Sequence, residues 1–267
     1  MSLTGPAREL GRVFDQVADA YDAARPGYPD DLFRTLAEVS EVELSGATVV
    51  DVGAGTGISS RALRARGARV IAIDPGERML ARLAARTAAD PTPAVPGTAG
   101  HLAAVRADGN ALPIADGSAD LVCYAQSWHW LDPATSIAEA RRALRPSGRI
   151  AAWWNTTDHD QADWLAAYEV RLAESCPTYW GPAHPEWRVP QIAAVLDAGG
   201  LRESWVHWTR LVGIEDFLLN LRSHSYMAAM AVEAADELVA RQRVELSRVY
   251  PGGLLSVPMR VYLAVGR

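Results

Sequence analysis

The stretch Val49-Val50-Asp51-Val52-Gly53-Ala54-Gly55-Thr56-Gly57 decides how this chain is read. A β-branched run ends abruptly in a glycine turn, where the backbone can fold sharply and a ligand can approach the main chain at points a Cβ would block. Such loops serve nucleotide-like ligands in general. A dinucleotide fingerprint would place its third glycine where this chain has Ile58, and it leaves a helix N-terminus to meet a pyrophosphate. Here the spacing is G-x-G-x-G with Asp51 just ahead of it, and a carboxylate aimed into the loop repels pyrophosphate and attracts a cationic ligand.

Outward from the loop, Val70-Ile71-Ala72-Ile73 ends in Asp74, an acid placed at a strand tip to accept from both hydroxyls of a ribose. The alternative for Asp74 is a helix N-cap. Short β-branched runs then alternate with Ala, Leu and Arg-rich helical patterns, the rhythm of βαβ units around a parallel sheet. Strands are predicted at 48–52, 69–73, 102–106, 120–125, 149–154, 202–210 and 256–265, and core helices at 59–66, 77–87 and 133–144. Two further helical patterns, 8–24 and 29–39, flank Arg25-Pro26-Gly27-Tyr28-Pro29 and form a lid candidate. After residue 155 helices are expected near 160–174, 189–198, 214–222 and 228–248, with a Pro/Trp-rich connection from Pro177 to Pro190. No repeat or long linker interrupts the chain, so one domain is expected over 1–267: a lid (1–45), a ligand-binding core (46–155) and an elaborated second half (156–267).

Composition narrows the chemistry. The 267 residues carry 26 basic and 32 acidic side chains, a net charge of −6, and every basic residue is arginine. Schiff-base chemistry, a lysine base and a P-loop lysine are therefore excluded, since a guanidinium stays protonated. The acidic balance, without any basic run, argues against nucleic acid and anionic membranes as partners. Cys123 and Cys176 are too few to staple the chain, and no apolar stretch approaches the ~20 residues of a membrane span, so a cytoplasmic protein is expected. The six histidines include no i, i+4 pair with an adjacent acid, so no metal site is expected.

The motifs in this order resemble those of the class I S-adenosylmethionine-dependent methyltransferases, in the group typified by ubiquinone-biosynthesis and trans-aconitate methyltransferases. The resemblance runs from Phe14 to Trp154. Tyr21-Asp22 with Arg25 to Pro29 is similar to the family's lid, Asp51 to Gly57 to its first motif, and Asp74 to its ribose-binding acid. Ala107-Asp108-Gly109-Asn110-Ala111-Leu112-Pro113 is similar to the adenine-binding segment, and Trp128-His129-Trp130-Leu131 occupies the place of the family's His-His-Leu. Leu144-Arg145-Pro146-Ser147-Gly148 stands where the family writes a Lys-Pro-Gly-Gly turn, with Ser147 for a glycine. The resemblance implies a Rossmann-like, doubly wound, seven-stranded and mostly parallel sheet whose last strand is antiparallel. It implies S-adenosyl-L-methionine as cofactor, held by Tyr21, Arg25, Asp51, Gly53, Gly55, Gly57, Asp74, Pro75, Met79, Asp108, Gly109, Ala125 and Gln126.

Several of these residues carry a second reading. Asp108 is also a turn former, Met79 covers an adenine face or fills core, and Arg25 meets the cofactor's carboxylate or a surface acid. Methyl transfer from a sulfonium needs alignment and water exclusion more than acid-base work. A base matters only for a protonated acceptor, and His129 is then the candidate, against a purely structural role. The acceptor is expected to be a small molecule, O- or carboxyl-directed. Candidates to shape its pocket are Trp128, Trp130, Trp153, Trp154, Asn155, Tyr179, Trp180 and Tyr226, with Arg222 and His224 for an anionic group. Trp153 and Trp154 are adjacent on one strand, so they face opposite ways. All nine tryptophans fall between Trp128 and Trp208. Two other functions share these features: a nicotinamide-dependent dehydrogenase, and a non-catalytic binding subunit that keeps the fold.

Overall fold

A computed structural model describes residues 25–89, 100–176, 179, 192, 196 and 200–267. The helices expected at 8–24 and 189–198, Tyr21, Trp180 and most of the Pro177–Pro190 connection lie outside the described residues. Helix α1 (Asp30–Ser40) leads into β1 (Thr48–Val52), α2 (Ile58–Ala65), β2 (Arg69–Asp74), α3 (Glu77–Ala89), β3 (Leu102–Arg106) and β4 (Ala119–Ala125). A 3-10 turn, Trp128–Trp130, precedes α4 (Pro133–Ala143) and β5 (Leu144–Thr157); α5 (Asp163–Ser175), β6 (Arg202–Gly213), α6 (Ile214–Arg222), α7 (Ser225–Ala228), α8 (Val232–Val249) and β7 (Leu254–Gly266) follow.

The seven strands form one sheet in the order β3-β2-β1-β4-β5-β7-β6. β7 alone runs against its neighbours, pairing antiparallel with both β5 and β6. From β1 the chain moves outward through β2 to β3, then returns to place β4 on the other side of β1. That reversal opens a crevice at the carboxyl ends of β1 and β4, where open α/β sheets bind ligands. The glycine stretch leaves β1 at this point.

Strand composition follows burial. β1 is covered on both faces and reads as an apolar run, Val49, Val50 and Val52 all being fully buried. Val50, Val52, Val122, Tyr124, Ile150, Ala152 and Trp154 pack with Ile137 of α4 on one face. Val49, Leu121, Cys123, Ala151 and Trp153 pack with Phe33 and Leu36 of α1 and Leu63 of α2 on the other. The two adjacent tryptophans therefore divide as strand alternation requires. A separate apolar cluster joins α5, α6 and α8 through Leu165, Tyr168, Phe217, Leu218, Leu238 and Leu246. Among the described residues no helix is long and apolar enough to cross a membrane.

Local chemistry sets the ends of the elements. Asp132 caps α4 by accepting from the Thr135 N–H at 2.8 Å, and Pro133 occupies the first helical position, where its missing donor costs nothing. The segment expected as a turn, Leu144 to Gly148, is instead the lead-in of β5. Leu144 pairs with Ala119 and Arg149 with Leu121, so the intervening residues are accommodated by a bulge within the strand. The helix expected from residue 228 starts at Val232 instead, after the single turn α7 and the non-helical residues 229–231.

Trp153 is the keystone of the α1 face. It is fully buried, with Tyr28 edge-on at 6.1 Å and Phe33 at 6.4 Å. Trp153→Ala is expected to lower unfolding free energy by about 3–5 kcal/mol, read as a fall in the urea midpoint, with Trp153→Phe costing clearly less. A loss below about 1 kcal/mol for the alanine variant would show that α1 is not pinned through this ring.

Candidate active site

The glycine loop is held from three sides. Gly53 and Ala54 donate to the Ile73 carbonyl at 2.8 and 3.0 Å, fastening the loop to the end of β2. Gly53 has φ +71°, and a Cβ there would meet Ser127 Cβ at 2.4 Å, so only glycine lets the segment after β4 close on the loop. Ser127 completes that contact by donating its hydroxyl to the Val52 carbonyl. Gly55, at φ +57°, differs: a Cβ at this position would enter open space, with no atom within 4 Å. Gly57 takes the left-handed N-cap position of α2.

Asp74 ties the loop to the next turn. Its two carboxylate oxygens accept from the N–H groups of Gly55 and Gly76, each at 2.8 Å. A carboxylate offers about four acceptor positions, so this bracing is compatible with accepting from hydroxyls as well. Both expected roles, strand-tip acceptor and turn former, are thus available to one side chain. Pro75 is exposed beside it and Met79 is buried in the first turn of α3.

Asp51 sits beneath the loop and not in its mouth. It is fully buried, receives the Ser60 hydroxyl at 2.6 Å and lies 3.6 Å from the Cys123 thiol. Burial pushes its carboxyl up to about 6, against the pull of Ser60 and Cys123, and the nearby Asp74 charge adds to the rise. Strand alternation explains the placement, since Asp51 shares the face of Val49 and Cys123 that α2 covers.

Asp108 is exposed past the end of β3. Its Oδ1 accepts from the backbone and side-chain amides of Asn110, both at 2.9 Å, which is the turn-forming geometry. No donor among the described residues engages Oδ2. Gly109 is buried beside it, and Asn110 passes the bracing on by accepting from the Asp132 N–H at 2.9 Å. At the end of β4, Ala125 is partly buried and Gln126 adopts φ +57°, a backbone state uncommon for a non-glycine residue. The Gln126 N–H donates to the Trp153 carbonyl at 2.9 Å.

A second group of side chains gathers around Arg25. Its guanidinium donates to the Ser223 carbonyl at 3.4 Å. Burial first, and the Arg25 charge second, push His129 down to about 4 and His224 well below the ordinary histidine range, so both rings are neutral near pH 7. His224 stacks on Tyr226 at 4.9 Å, and Tyr226 meets Tyr179 at 5.0 Å. His129 lies 4.6 Å from the Trp130 ring and accepts at Nδ1 from the Trp154 indole N–H at 3.2 Å. A base with so low a proton affinity is poorly matched to neutral pH, and the occupied Nδ1 further argues against that expected role.

Three other expectations for the acceptor pocket are corrected. Arg222 pairs with Asp236 of α8 at 2.6 Å, an ordinary i-to-neighbouring-helix ion pair. Asn155 is buried with both ends of its amide engaged, donating to the Gly27 carbonyl and accepting from the Trp208 indole, each at 3.1 Å. Trp128 is a core residue; Trp153 packs under α1, as expected of one member of the adjacent pair. The sequence reading missed Ser127, Thr56 and Ser60. A small polar residue directly after a strand facing the glycine turn was the available signal for Ser127, and the helical face toward Asp51 was the signal for Ser60.

Comparison with known proteins agrees with this architecture. Residues 50–152 match the family described as methyltransferase domain. An uncharacterized methyltransferase of Mycobacterium tuberculosis is 37% identical over 241 residues, covering 90% of this chain and 88% of the relative. A structure from Anaeromyxobacter dehalogenans, assigned as a type II methyltransferase, superposes with a TM-score of 0.66 at 23% identity, over 91% of this chain and 97% of that one. A methyltransferase from Thiobacillus denitrificans in complex with S-adenosyl-L-homocysteine matches with a TM-score of 0.52 at 18% identity, over 96% and 98%. With 37% identity across nine-tenths of its length and the β3-β2-β1-β4-β5-β7-β6 sheet, the chain belongs to the class I S-adenosylmethionine-dependent methyltransferases.

Proposed function

We propose that this protein methylates a small-molecule acceptor at an anionic oxygen, with carboxylates favoured, and that the loop after β1 holds S-adenosylmethionine. The observation that carries the reading is the open cradle at Gly55, whose N–H is braced by Asp74 while the space above its missing Cβ is vacant. The residues fit the cofactor on a second count. The Thr56 hydroxyl, in the middle of the loop, is buried without a hydrogen-bond partner among the described residues, a state that a polar ligand would relieve.

In this reading Asp74 holds the ribose hydroxyls, Asp108 and the Gly109 N–H the adenine edge, and Met79 the ring face. Gly53, Gly55, Gly57, Pro75, Ala125 and Gln126 supply backbone walls, and Arg25 closes the site from the lid side. S-adenosylmethionine, when bound, supplies an electrophilic methyl on a sulfonium that is displaced in line. The chain's own task is then to align the acceptor and exclude water. Neutral His129 and His224, Tyr226 and the Arg25 guanidinium make a donor-rich, lysine-free wall suited to an oxygen anion, which needs no base. The acidic net charge favours small molecules over nucleic acid or membrane surfaces as acceptors.

Binding of S-adenosylhomocysteine by calorimetry, followed by a turnover panel of small mono-, di- and tricarboxylates with matched phenols, tests this function. Absence of binding overturns it, and binding without turnover on any acceptor favours a non-catalytic subunit. Asp74→Ala is expected to weaken S-adenosylhomocysteine about tenfold to a hundredfold, the loss for charge-assisted hydrogen bonds worth about 1.5–3 kcal/mol.

Asp51 gives a separate prediction. Unfolded, an aspartate releases its proton near 3.8, whereas folded Asp51 keeps it to about 6. Between those values the native state holds a proton that the unfolded chain has lost, so stability falls as pH rises through the window and is constant above it. The full shift corresponds to about 3 kcal/mol. Urea titrations from about pH 4 to about pH 7 are expected to show Asp51→Asn gaining stability relative to the unsubstituted protein as pH rises. A stability difference independent of pH would contradict the assignment.

A further inference from the structure

We infer that His129 meets the acceptor as a fixed hydrogen-bond donor through Nε2–H, its tautomer locked by the Trp154 indole, so that it selects and positions the acceptor and takes no proton from it. The inference rests on the proposed methyl transfer at this site. Its geometry starts from a donor with no ambiguity: an indole N–H can only donate, so the ring nitrogen it meets at 3.2 Å, Nδ1, must carry a lone pair. In a neutral imidazole the proton then resides on Nε2. No described hydrogen bond uses Nε2, and the ring is only partly buried at the carboxyl end of β4.

The lock is rigid. Trp154 is 8% exposed, lies on β5 opposite Tyr262 of β7, and stacks on that ring at 6.4 Å and 30°. Tyr262 in turn donates its hydroxyl to Glu203 and meets Trp205 at 5.1 Å. Trp130 holds the other side of the imidazole at 4.6 Å. For His129 to act as a base through Nε2, its proton would have to move to Nδ1, setting two N–H groups against each other in a buried contact. That arrangement forfeits one hydrogen bond and leaves a buried donor unsatisfied. The neutral state near pH 7, maintained by burial and by Arg25, is the one in which this tautomer choice has meaning. An Nε2–H beside a guanidinium rewards an acceptor that presents oxygen lone pairs.

Nitrogen-resolved NMR of histidine-labelled protein reads the tautomer directly and without an acceptor. The expected result is Nε2–H for His129; Nδ1–H would overturn the inference. Trp154→Phe keeps an aromatic ring but removes the donor, and is expected to give mixed tautomer signals for His129. With the fastest acceptor of the panel, Trp154→Phe is expected to raise the acceptor KM about tenfold, with kcat within about threefold and S-adenosylhomocysteine affinity unchanged. His129→Gln, which retains an N–H donor, is expected to keep most of kcat, while His129→Ala raises KM. A fall in kcat of about a hundredfold or more for His129→Gln at unchanged KM is the signature of a base and refutes the donor role. Failure of the unsubstituted protein to bind S-adenosylhomocysteine defeats the methyltransferase reading instead, whatever the tautomer.

Discussion

The Asp74 carboxylate is the interaction on which the site depends. By accepting from Gly55 on one side and Gly76 on the other, it makes the glycine loop and the start of α3 one braced unit at the mouth of the crevice. Charge-assisted hydrogen bonds from backbone amides are roughly twice as strong as neutral ones, so the loop can keep Gly55 at positive φ without side-chain packing above it. That empty side is what a ligand requires. The opposite side is closed by Ser127 against Gly53, so the segment after β4 packs on the loop where the strand order reverses.

Buried charge is distributed with a consistent sense. Asp51 lies under the loop at an energetic cost, whereas burial first, and the Arg25 charge second, keep His129 and His224 neutral. The Ser60 hydroxyl and the Cys123 thiol offset part of the cost of the buried Asp51 charge.

The fold was legible because its signals are local and periodic. Each of the strands at 48–52 and 102–106 coincides with its expected range, and the glycine turn reports its own backbone needs. What escaped the sequence was pairing. Nothing local distinguishes Arg222, which is held by Asp236 fourteen residues away on another helix, from a guanidinium aimed at substrate. Asn155 reads as a pocket residue until its two partners, Gly27 and Trp208, are brought to it from 128 and 53 residues away. Likewise Asp51 reads as facing the ligand, whereas strand alternation puts it on the face that α2 covers, where Ser60 of α2 and Cys123 of β4 meet it.

The clustering of tryptophan in the second half acquires a physical meaning from these pairings. Besides the bulk that Trp153 and Trp128 give to the core, two indoles act as one-way donors, Trp154 to His129 and Trp208 to Asn155. A large ring with two side-chain torsions is held by packing, and its single N–H then points in a fixed direction at little entropic cost. Histidine and asparagine are the side chains whose hydrogen-bonding sense is otherwise ambiguous, by tautomer in one case and by amide flip in the other. An indole removes the ambiguity in both. In one place the result is a defined donor at the mouth of the crevice. In the other it is a defined amide orientation whose N–H holds the Gly27 carbonyl, two residues from Arg25, and so carries the rigidity of the sheet into the segment ahead of α1.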